Sequence, residues 1–448
     1  MEKGNNFKVV VIGGGPAGLT AAHALGKAGI DFVVLERREQ IVLDLGANIS
    51  LWPSTLRIIY QFGLYDELVG VSTQLKTKET FTSDGYKLKQ TPFFSHTTRN
   101  FGTAPIAVHR SELIRVLHEG LPESSKEKIL TDKNVLDIVQ GEGGVTVTCT
   151  DGTVYEGSMV IGADGVHSNT RRLMRKMALL EDSEKEWDLE DPFTTTYKCI
   201  WFNAPRPEGA IPGSFIETHH QDKSIIHITG EDFAWLFLFE KLPEPTNKPP
   251  RCNEDEIEPF AQRFAEFQTS DNLKVKELWA KKIGTGITNL EEGVANNWNW
   301  GRIVLAGDSC HKFTPHAGLG YANGVQDIVV LCNRIHDAVA AAPNGLPSTS
   351  DLTARFEDYQ AVRALPLKKD CAVSGLATRI HTWASTPHWI LSRFIMPSPI
   401  TDYILQNYLS SKNERDSHVL TFLPTDEKFE GDIKWTNRMK GSLETIKA

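Results

Sequence analysis

The sequence predicts an α/β fold in which a parallel-sheet domain is interrupted by an inserted antiparallel β-sheet domain and followed by a C-terminal helical region. Three observations predict it. An apolar run, Val9-Val10-Val11-Ile12, ends in the glycine turn Gly13-Gly14-Gly15-Pro16-Ala17-Gly18. A second apolar run, Ile303-Val304-Leu305-Ala306, delivers Gly307-Asp308 far downstream. Between them, stretches at 197–202, 214–218, 224–228 and 233–239 read as strands at regular spacing.

The first turn follows a short buried parallel strand, and its glycines meet three different needs. Gly13 allows the tight turn, Gly15 lets the backbone approach a pyrophosphate, and Gly18 lets the next helix pack close to the strand. Residues 17–28 read as that helix, with Ala17, Ala21, Ala24 and Leu25 on one face and Gly29 as its stop. The free N–H groups and positive dipole end at its start suit phosphate oxygens. A second strand, 31–35, ends at Glu36, 18 residues after Gly18, about where an acid binds ribose hydroxyls. Glu36 and its neighbour Arg37 are candidate cofactor contacts. An acid here disfavours a 2′-phosphate, so the adenosine bound is not that of NADP. The domain is therefore Rossmann-like.

Residues 46–68 begin as a loop and turn helical after Pro53. Residues 110–117 read as a helix with Leu113, Val116 and Leu117 inward. Residues 145–148 alternate, Asp151-Gly152 signals a hairpin turn, and 154–157 return. Met159-Val160-Ile161-Gly162-Ala163-Asp164-Gly165 is a buried strand with a turn at its end, and Arg171 and Arg172 fall on the helix after it. After the inserted strands, 243–250 is a proline-rich loop, 253–267 an amphipathic helix, and 324–339 the helix that follows Gly307-Asp308. The expected division is 1–190 and 286–345 for the two parts of the nucleotide-binding domain, 191–285 for the inserted substrate domain, and 346–448 for the helical region.

A chain of 448 residues holds two or three domains, and its net charge of −9 excludes nucleic acid as a partner. The polar start, Met1-Glu2-Lys3-Gly4-Asn5-Asn6, is no signal peptide. The six cysteines show no metal-ligand spacing, so no metal is expected, and reduced thiols in the cytoplasm are the simple reading. No uninterrupted apolar stretch reaches membrane-spanning length. Residues 381–405 are rich in Trp, Ile, Leu and Phe. They are expected to pack on the body as a helical layer. The alternative is a weak contact with a membrane surface, the endoplasmic reticulum included.

Asp308 ends a buried strand and precedes a loop rich in glycine and proline. An acid there accepts hydrogen bonds from a ligand hydroxyl; a turn or helix-cap role is the alternative. Gly318 and Gly320 permit close backbone approach, and the helix start near Asn323 offers N–H donors. A reduced flavin needs such donors near its pyrimidine ring. The first turn alone says dinucleotide; the two together say flavin.

This constellation resembles the class A flavin-dependent monooxygenases of the para-hydroxybenzoate hydroxylase fold. Three signatures match in order across residues 7–345: Gly13-x-Gly15-x-x-Gly18, then Gly162-Ala163-Asp164-Gly165 with Ser168 and Arg171, then Gly307-Asp308 with Pro315. Gly46-Ala47-Asn48-Ile49 and Trp300-Gly301-Arg302-Ile303-Val304 look like a fungal branch serving secondary metabolism, with its epoxidases and indole oxidases. Trp298-Asn299-Trp300 mimics a halogenase motif but lacks the proline that follows it there.

The resemblance implies a GR2-type FAD-binding domain that holds FAD tightly and without a covalent bond, with NADPH as reductant and O2 as oxidant. It implies that Glu36 binds the adenosine ribose, and that Gly46, Ala47 and Arg110 line the ribityl and diphosphate region. Asp308 would bind the ribityl or diphosphate, and Gly318, Gly320 and Tyr321 would supply backbone contacts to the ring. Asp164 would serve both cofactors, and Pro315 would sit where a flavin hydroperoxide forms. These enzymes have no second glycine fingerprint for NADPH, and none occurs here.

The chain departs from the family loop at His316, Leu319 and Ala322, where Asn, Gln and Asn are usual, and at Ser54, where the branch carries Asn. Lys198 stands where Arg is frequent, and Lys cannot make Arg's planar contact. Lys198 and His316 are the candidate catalytic donors to the leaving oxygen, beside Pro315. His219, His220 and His227 are read as structural. Phe215, Trp235 and Phe237 suggest an apolar wall suited to a prenylated or indole-type substrate. The expected activity is epoxidation or hydroxylation of such a small molecule. The alternatives are a flavin-bound isomerase or cyclase without net oxidation, and a phenolic aromatic hydroxylase.

Overall fold

The computed structural model describes residues 7–43 and 48–441. Gly46 and Ala47 lie outside the described residues. The nucleotide-binding half is a six-stranded sheet in the order Asn299–Trp300, Ile303–Leu305, Met159–Gly162, Lys8–Ile12, Asp31–Leu35, Ile129–Leu130. All its pairs are parallel except the first. Val9, Val10, Val11 and Met159 to Ile161 are fully buried, as expected of strands covered on both faces. The helix Pro16–Lys27 has its proline at the first position, where no N–H is needed, and packs against the long helix Gly320–Ala341.

The inserted sheet is larger than its sequence signal. It has eight strands, in the order His311–Lys312, Gly284–Val294, Thr194–Pro205, Phe233–Thr246, Lys223–Thr229, Ser214–His220, Thr77–Thr82, Lys87–Thr91. Two of these, at 77–91, come from the segment assigned to the first domain. Thr77–Thr82 pairs parallel to Ser214–His220, so the sheet is not purely antiparallel. Their polar sequences carry little strand propensity; edge pairing recruits them. Gly284–Val294 runs past the boundary at 285 and pairs with His311–Lys312, which ties the sheet to the segment after Asp308.

Alternation gives this sheet two faces. On the outer face Ile200, Phe202, Leu236 and Leu238 pack under Phe260, Phe264, Leu278 and Trp279. On the inner face Tyr197, Cys199, Ile226, Trp235 and Phe239 meet Leu75, Phe94 and Ala107. The helix expected at 253–267 is shorter: a turn Glu254–Glu256 and a helix Ile257–Gln262. Gln268–Ser270 is already extended and pairs with Leu273–Lys274.

The C-terminal region is led by the 33-residue helix Thr349–His381, opened by Ser348, whose hydroxyl accepts the Asp351 N–H. Short helical pieces follow from Thr386 to Leu409. They are anchored by polar groups: Asp402 pairs with Lys89 at 2.6 Å, and Gln406 accepts from Thr97 at 2.9 Å. The expected packed layer is only half realised. Trp389, Phe394, Ile400, Tyr403 and Tyr408 are exposed. Among the described residues no helix is long and apolar enough to cross a membrane.

Candidate functional site

The three glycines behave differently in space. Gly13 has φ +108°, and a Cβ there would meet the Ala163 carbonyl oxygen at 2.4 Å. A Cβ on Gly18 would lie 1.8 Å from the Gly13 oxygen. Gly15, at the helix start, has nothing within 4 Å of that position. Two glycines are thus demanded by packing, and the third leaves open space before the helix N-terminus.

The other signatures lock onto this turn. Ser309 donates its hydroxyl to the Gly162 carbonyl at 2.6 Å, and Arg171 donates to the Ser309 carbonyl at 2.7 Å and the Val166 carbonyl at 2.8 Å. Gly307, at φ +66°, would place a Cβ 3.2 Å from Ala17, so the two glycine turns abut. Asp164 works within its own loop. It accepts the Ser168 hydroxyl at 2.5 Å, the Thr170 N–H at 2.9 Å and the Thr170 hydroxyl at 3.0 Å, holding the start of the helix Asn169–Glu181.

Glu36 is buried and accepts the N–H of Gly14 at 2.7 Å and of Arg38 at 3.0 Å. Arg110 opens the helix Arg110–Glu119, where burial, with Arg38 nearby, lowers its guanidinium pKa against the pull of Asp308 and Glu36. Glu36, Arg38 and Asp308 therefore lie within electrostatic reach of Arg110, a charged seam beside the glycine turn to which Glu36 is bonded. Arg37 is exposed. Arg38, which the sequence reading passed over, is the basic residue felt by Arg110. Asp308 also bonds the Lys312 ammonium.

Farther along the seam, Pro315–Ala317 forms a turn and Gly318 follows at φ +65°. A Cβ on Gly318 would lie 3.3 Å from the Trp52 Nε1. Trp52 Nε1 and Asn48 Nδ2 are buried polar atoms without a partner among the described residues. Gly320 is open on its Cβ side, and the Tyr321 hydroxyl lies 3.1 Å from the Thr20 hydroxyl, its phenol pKa raised by burial. Asn323 does not replace the usual loop residue: it binds Asp370 and Arg363 in the interior. A dinucleotide carrying a flat ring fits this seam, with donors and open backbone along its length.

The two candidate proton donors need correction. Lys198 shares the outer face with Ile200 and Phe202, and its ammonium binds Glu256 at 2.6 Å, away from the seam. A one-residue change of parity decides this. His316 is in the right loop but is fully engaged: Nδ1 lies 2.9 Å from the Thr378 hydroxyl and Nε2 3.1 Å from the Ser224 hydroxyl. Burial pushes it down to about 3, so it is neutral at physiological pH and no acid. It packs on Phe239, with ring centroids 4.1 Å apart.

The inner face holds a circuit of contacts that begins and ends on the 315–318 loop. Trp52 touches Phe94, which touches Phe93 and Phe215. The Lys78 ammonium lies over Phe93 at 4.9 Å and pairs with Glu217 at 2.8 Å. Glu217 faces His381 at 3.6 Å, and His381 reaches His316, with ring centroids 5.2 Å apart. Two groups have spacing that suits a cation, Glu217 with His219 and His381, and Cys310 with His311 and Asp327. Each carboxylate already has a cation: Lys78 for the first and Arg363 for the second.

Residues 6–354 match the family model described as an FAD binding domain. The chain is 32% identical over 442 residues to the FAD-dependent monooxygenase nvfK of Aspergillus novofumigatus, covering 96% of this chain and 91% of that one. It is 31% identical over 408 residues to the FAD-dependent monooxygenase ausM of Penicillium brasilianum, covering 89% and 84%. In fold it is similar to a salicylate hydroxylase in its substrate complex, with a TM-score of 0.68, 18% identity and coverage of 92% and 98%. It is also similar to Klebsiella pneumoniae HpxO complexed with FAD and uric acid, with a TM-score of 0.67, 21% identity and coverage of 92% and 95%.

Proposed function

The chain belongs to the class A FAD-dependent monooxygenases, and from that premise we propose that it uses NADPH and dioxygen to oxygenate an apolar prenylated or indole-type secondary metabolite, by epoxidation or hydroxylation. The observation that carries this reading is the continuous seam from the open turn at Gly15 through Glu36, Arg110 and Asp308 to Gly318, with an aromatic wall above its far end.

In this reading the start of Pro16–Lys27 receives the diphosphate through its N–H groups. Glu36 takes the adenosine ribose, and Arg110 and Asp308 hold the ribityl and diphosphate region. Gly318, Gly320 and Tyr321 offer backbone to the ring edge, where the indole N–H of Trp52 and the amide of Asn48 find their acceptors. Asp164 serves by fixing the loop that closes the turn, and Pro315 lines the space beside the ring. The chemistry that FAD supplies when bound is acceptance of a hydride from NADPH and transfer of one oxygen atom of O2 to substrate, the other leaving as water. The chain orients the substrate and excludes water: Phe94, Trp235 and Phe239 are buried, and Phe215 and Phe237 are half-buried beside them.

The protein works in the cytoplasm, held weakly to a membrane surface, that of the endoplasmic reticulum, by the exposed apolar side chains between Trp389 and Leu409. Co-sedimentation with phosphatidylcholine vesicles tests this, and retention in the supernatant refutes it.

The main test is an anaerobic visible spectrum of the purified protein before and after NADPH. A flavin band that NADPH bleaches is the expected result. A band that persists even with pathway extract present points to redox-neutral chemistry. No band after addition of FAD sinks the reading.

A further inference from the structure

The inner face of the eight-stranded sheet buries a charge pair among aromatic rings. Along Ser214–His220, Phe215, Glu217 and His219 point to one side, and parallel pairing sets Lys78 beside Phe215 and Thr80 beside Glu217. The Glu217 side chain is 3% exposed and takes the Lys78 ammonium at 2.8 Å. That ammonium also lies 4.9 Å from the Phe93 ring centroid and 5.8 Å from that of Phe215, a setting that favours a cation.

Three features mark Lys78 as more than a structural partner. Its side chain is 22% exposed, so it is not sealed in the core as Glu217 is. It has three N–H donors, more than one carboxylate oxygen uses. A buried ion pair is also often no more stabilising than hydrocarbon of the same volume, so stability does not explain it. Glu217 stays ionised: burial alone would raise its pKa, but the surrounding histidines and Lys78 outweigh that and hold it well below the usual range.

The circuit of contacts gives the pair its place. It stands across from the 315–318 loop, at the end of the aromatic wall formed by Trp52, Phe94 and Phe215. We propose that Lys78, positioned by Glu217, is the specificity residue of this sheet face and donates a hydrogen bond to a carbonyl, enol or phenol oxygen on the head of an otherwise apolar substrate. This deepens the monooxygenase reading and rests on it for the role of this face. The anchored oxygen decides which part of the apolar body faces the loop. Glu217 is a positioning residue that holds the ammonium over the rings.

Isothermal titration calorimetry on the full chain tests this with two probes that differ by one oxygen, 2-geranylphenol and geranylbenzene. The wild type is expected to prefer the phenol by ~10-fold, the scale of one hydrogen bond to a charged group. Lys78→Met should abolish the preference without weakening geranylbenzene, and Lys78→Arg should retain it. Should Lys78→Met fail to fold, Glu217→Gln carries the test, with the preference expected to fall by ~3-fold. A wild type that binds both probes equally, or neither, overturns the proposal. So does a preference that survives in folded Lys78→Met or, where that variant fails to fold, one that Glu217→Gln leaves undiminished. The visible spectrum of the same wild-type sample separates the two readings. A missing flavin band removes the monooxygenase assignment, while the calorimetric comparison still decides Lys78.

Discussion

The turn at 13–18 and the inner face of the eight-stranded sheet prepare for ligands by opposite means. In the turn, what matters is where side chains are missing: a Cβ on Gly13 or Gly18 would fall within bonding range of backbone oxygens. On the sheet, what matters is side chains brought together from distant segments: Lys78, Glu217 and His381. The first arrangement is local and leaves no room for a side chain at Gly13 or Gly18. The second is long-range, built from residues on three separate segments. The contrast teaches that the glycine turn is shaped by its backbone and the sheet face by its side chains.

The sharpest way to break that contrast is Gly18→Ala. Its Cβ would lie 1.8 Å from the Gly13 carbonyl oxygen, so the strand and helix must separate. We expect loss of bound flavin and destabilisation of ~4 kcal/mol or more, read by visible absorbance and thermal melting. Gly15→Ala meets no protein atom, so its effect should fall on flavin content and not on the melting of the flavin-free protein.

Acid probes the buried side chains next. Burial lowers His23 and His227 to about 4 and His316 to about 3, against the ordinary imidazole value of 6.5. These groups protonate more readily when unfolded, so the stability they carry is complete above pH 6.5 and is lost as pH falls toward 4. A loss on the order of 3 kcal/mol per histidine across that window is expected in urea melts. His316→Gln should flatten the curve, and an unchanged slope would show that His316 titrates normally.

Glu414 gives the opposite slope. Burial raises it to about 7 although the Ser54 N–H and hydroxyl both bond it, at 2.8 and 3.1 Å. The folded state then holds a proton that the unfolded state has released, so this group costs stability as pH rises from ~4.5 through 7. Because the side chain keeps some solvent contact, the effect should be ~2 kcal/mol, and Glu414→Gln should remove it.

The smallest effect sharpens the comparison between the sheet's two faces. Lys198 on the outer face pairs with Glu256, which is 38% exposed. Lys198→Met should change stability by less than ~0.5 kcal/mol and leave flavin content and probe binding unchanged. A lost probe preference there would reverse the assignment of the two faces.

The glycine turn, Glu36 and the strand before Asp308 were legible because each is a short-range pattern: an apolar run, a turn, a helix start, an acid at fixed distance. The inserted strands were legible for the same reason, though most extend beyond their apolar centres. Thr77–Thr82 and Lys87–Thr91 were not. Their residues are polar, and only the edge they join makes them strands. Lys198 shows the converse error. Chain position after Tyr197 marked it as basic and near the sheet, but the alternation that buries Tyr197 inward turns Lys198 outward. Ser54 was noticed as a departure, yet its partner Glu414 lies 360 residues away and had no signal.

The sequence by itself determined the α/β class, the dinucleotide turn, the acid at the end of the second strand and the presence of an inserted sheet, because these follow from spacing within about twenty residues. Only the tertiary structure decided that His316 is neutral, that Lys198 faces away, and that Lys78 stands over aromatic rings beside a buried carboxylate. Protonation depends on burial, orientation on register, and an ion pair on two segments meeting. None of these is a property of a stretch of chain taken alone.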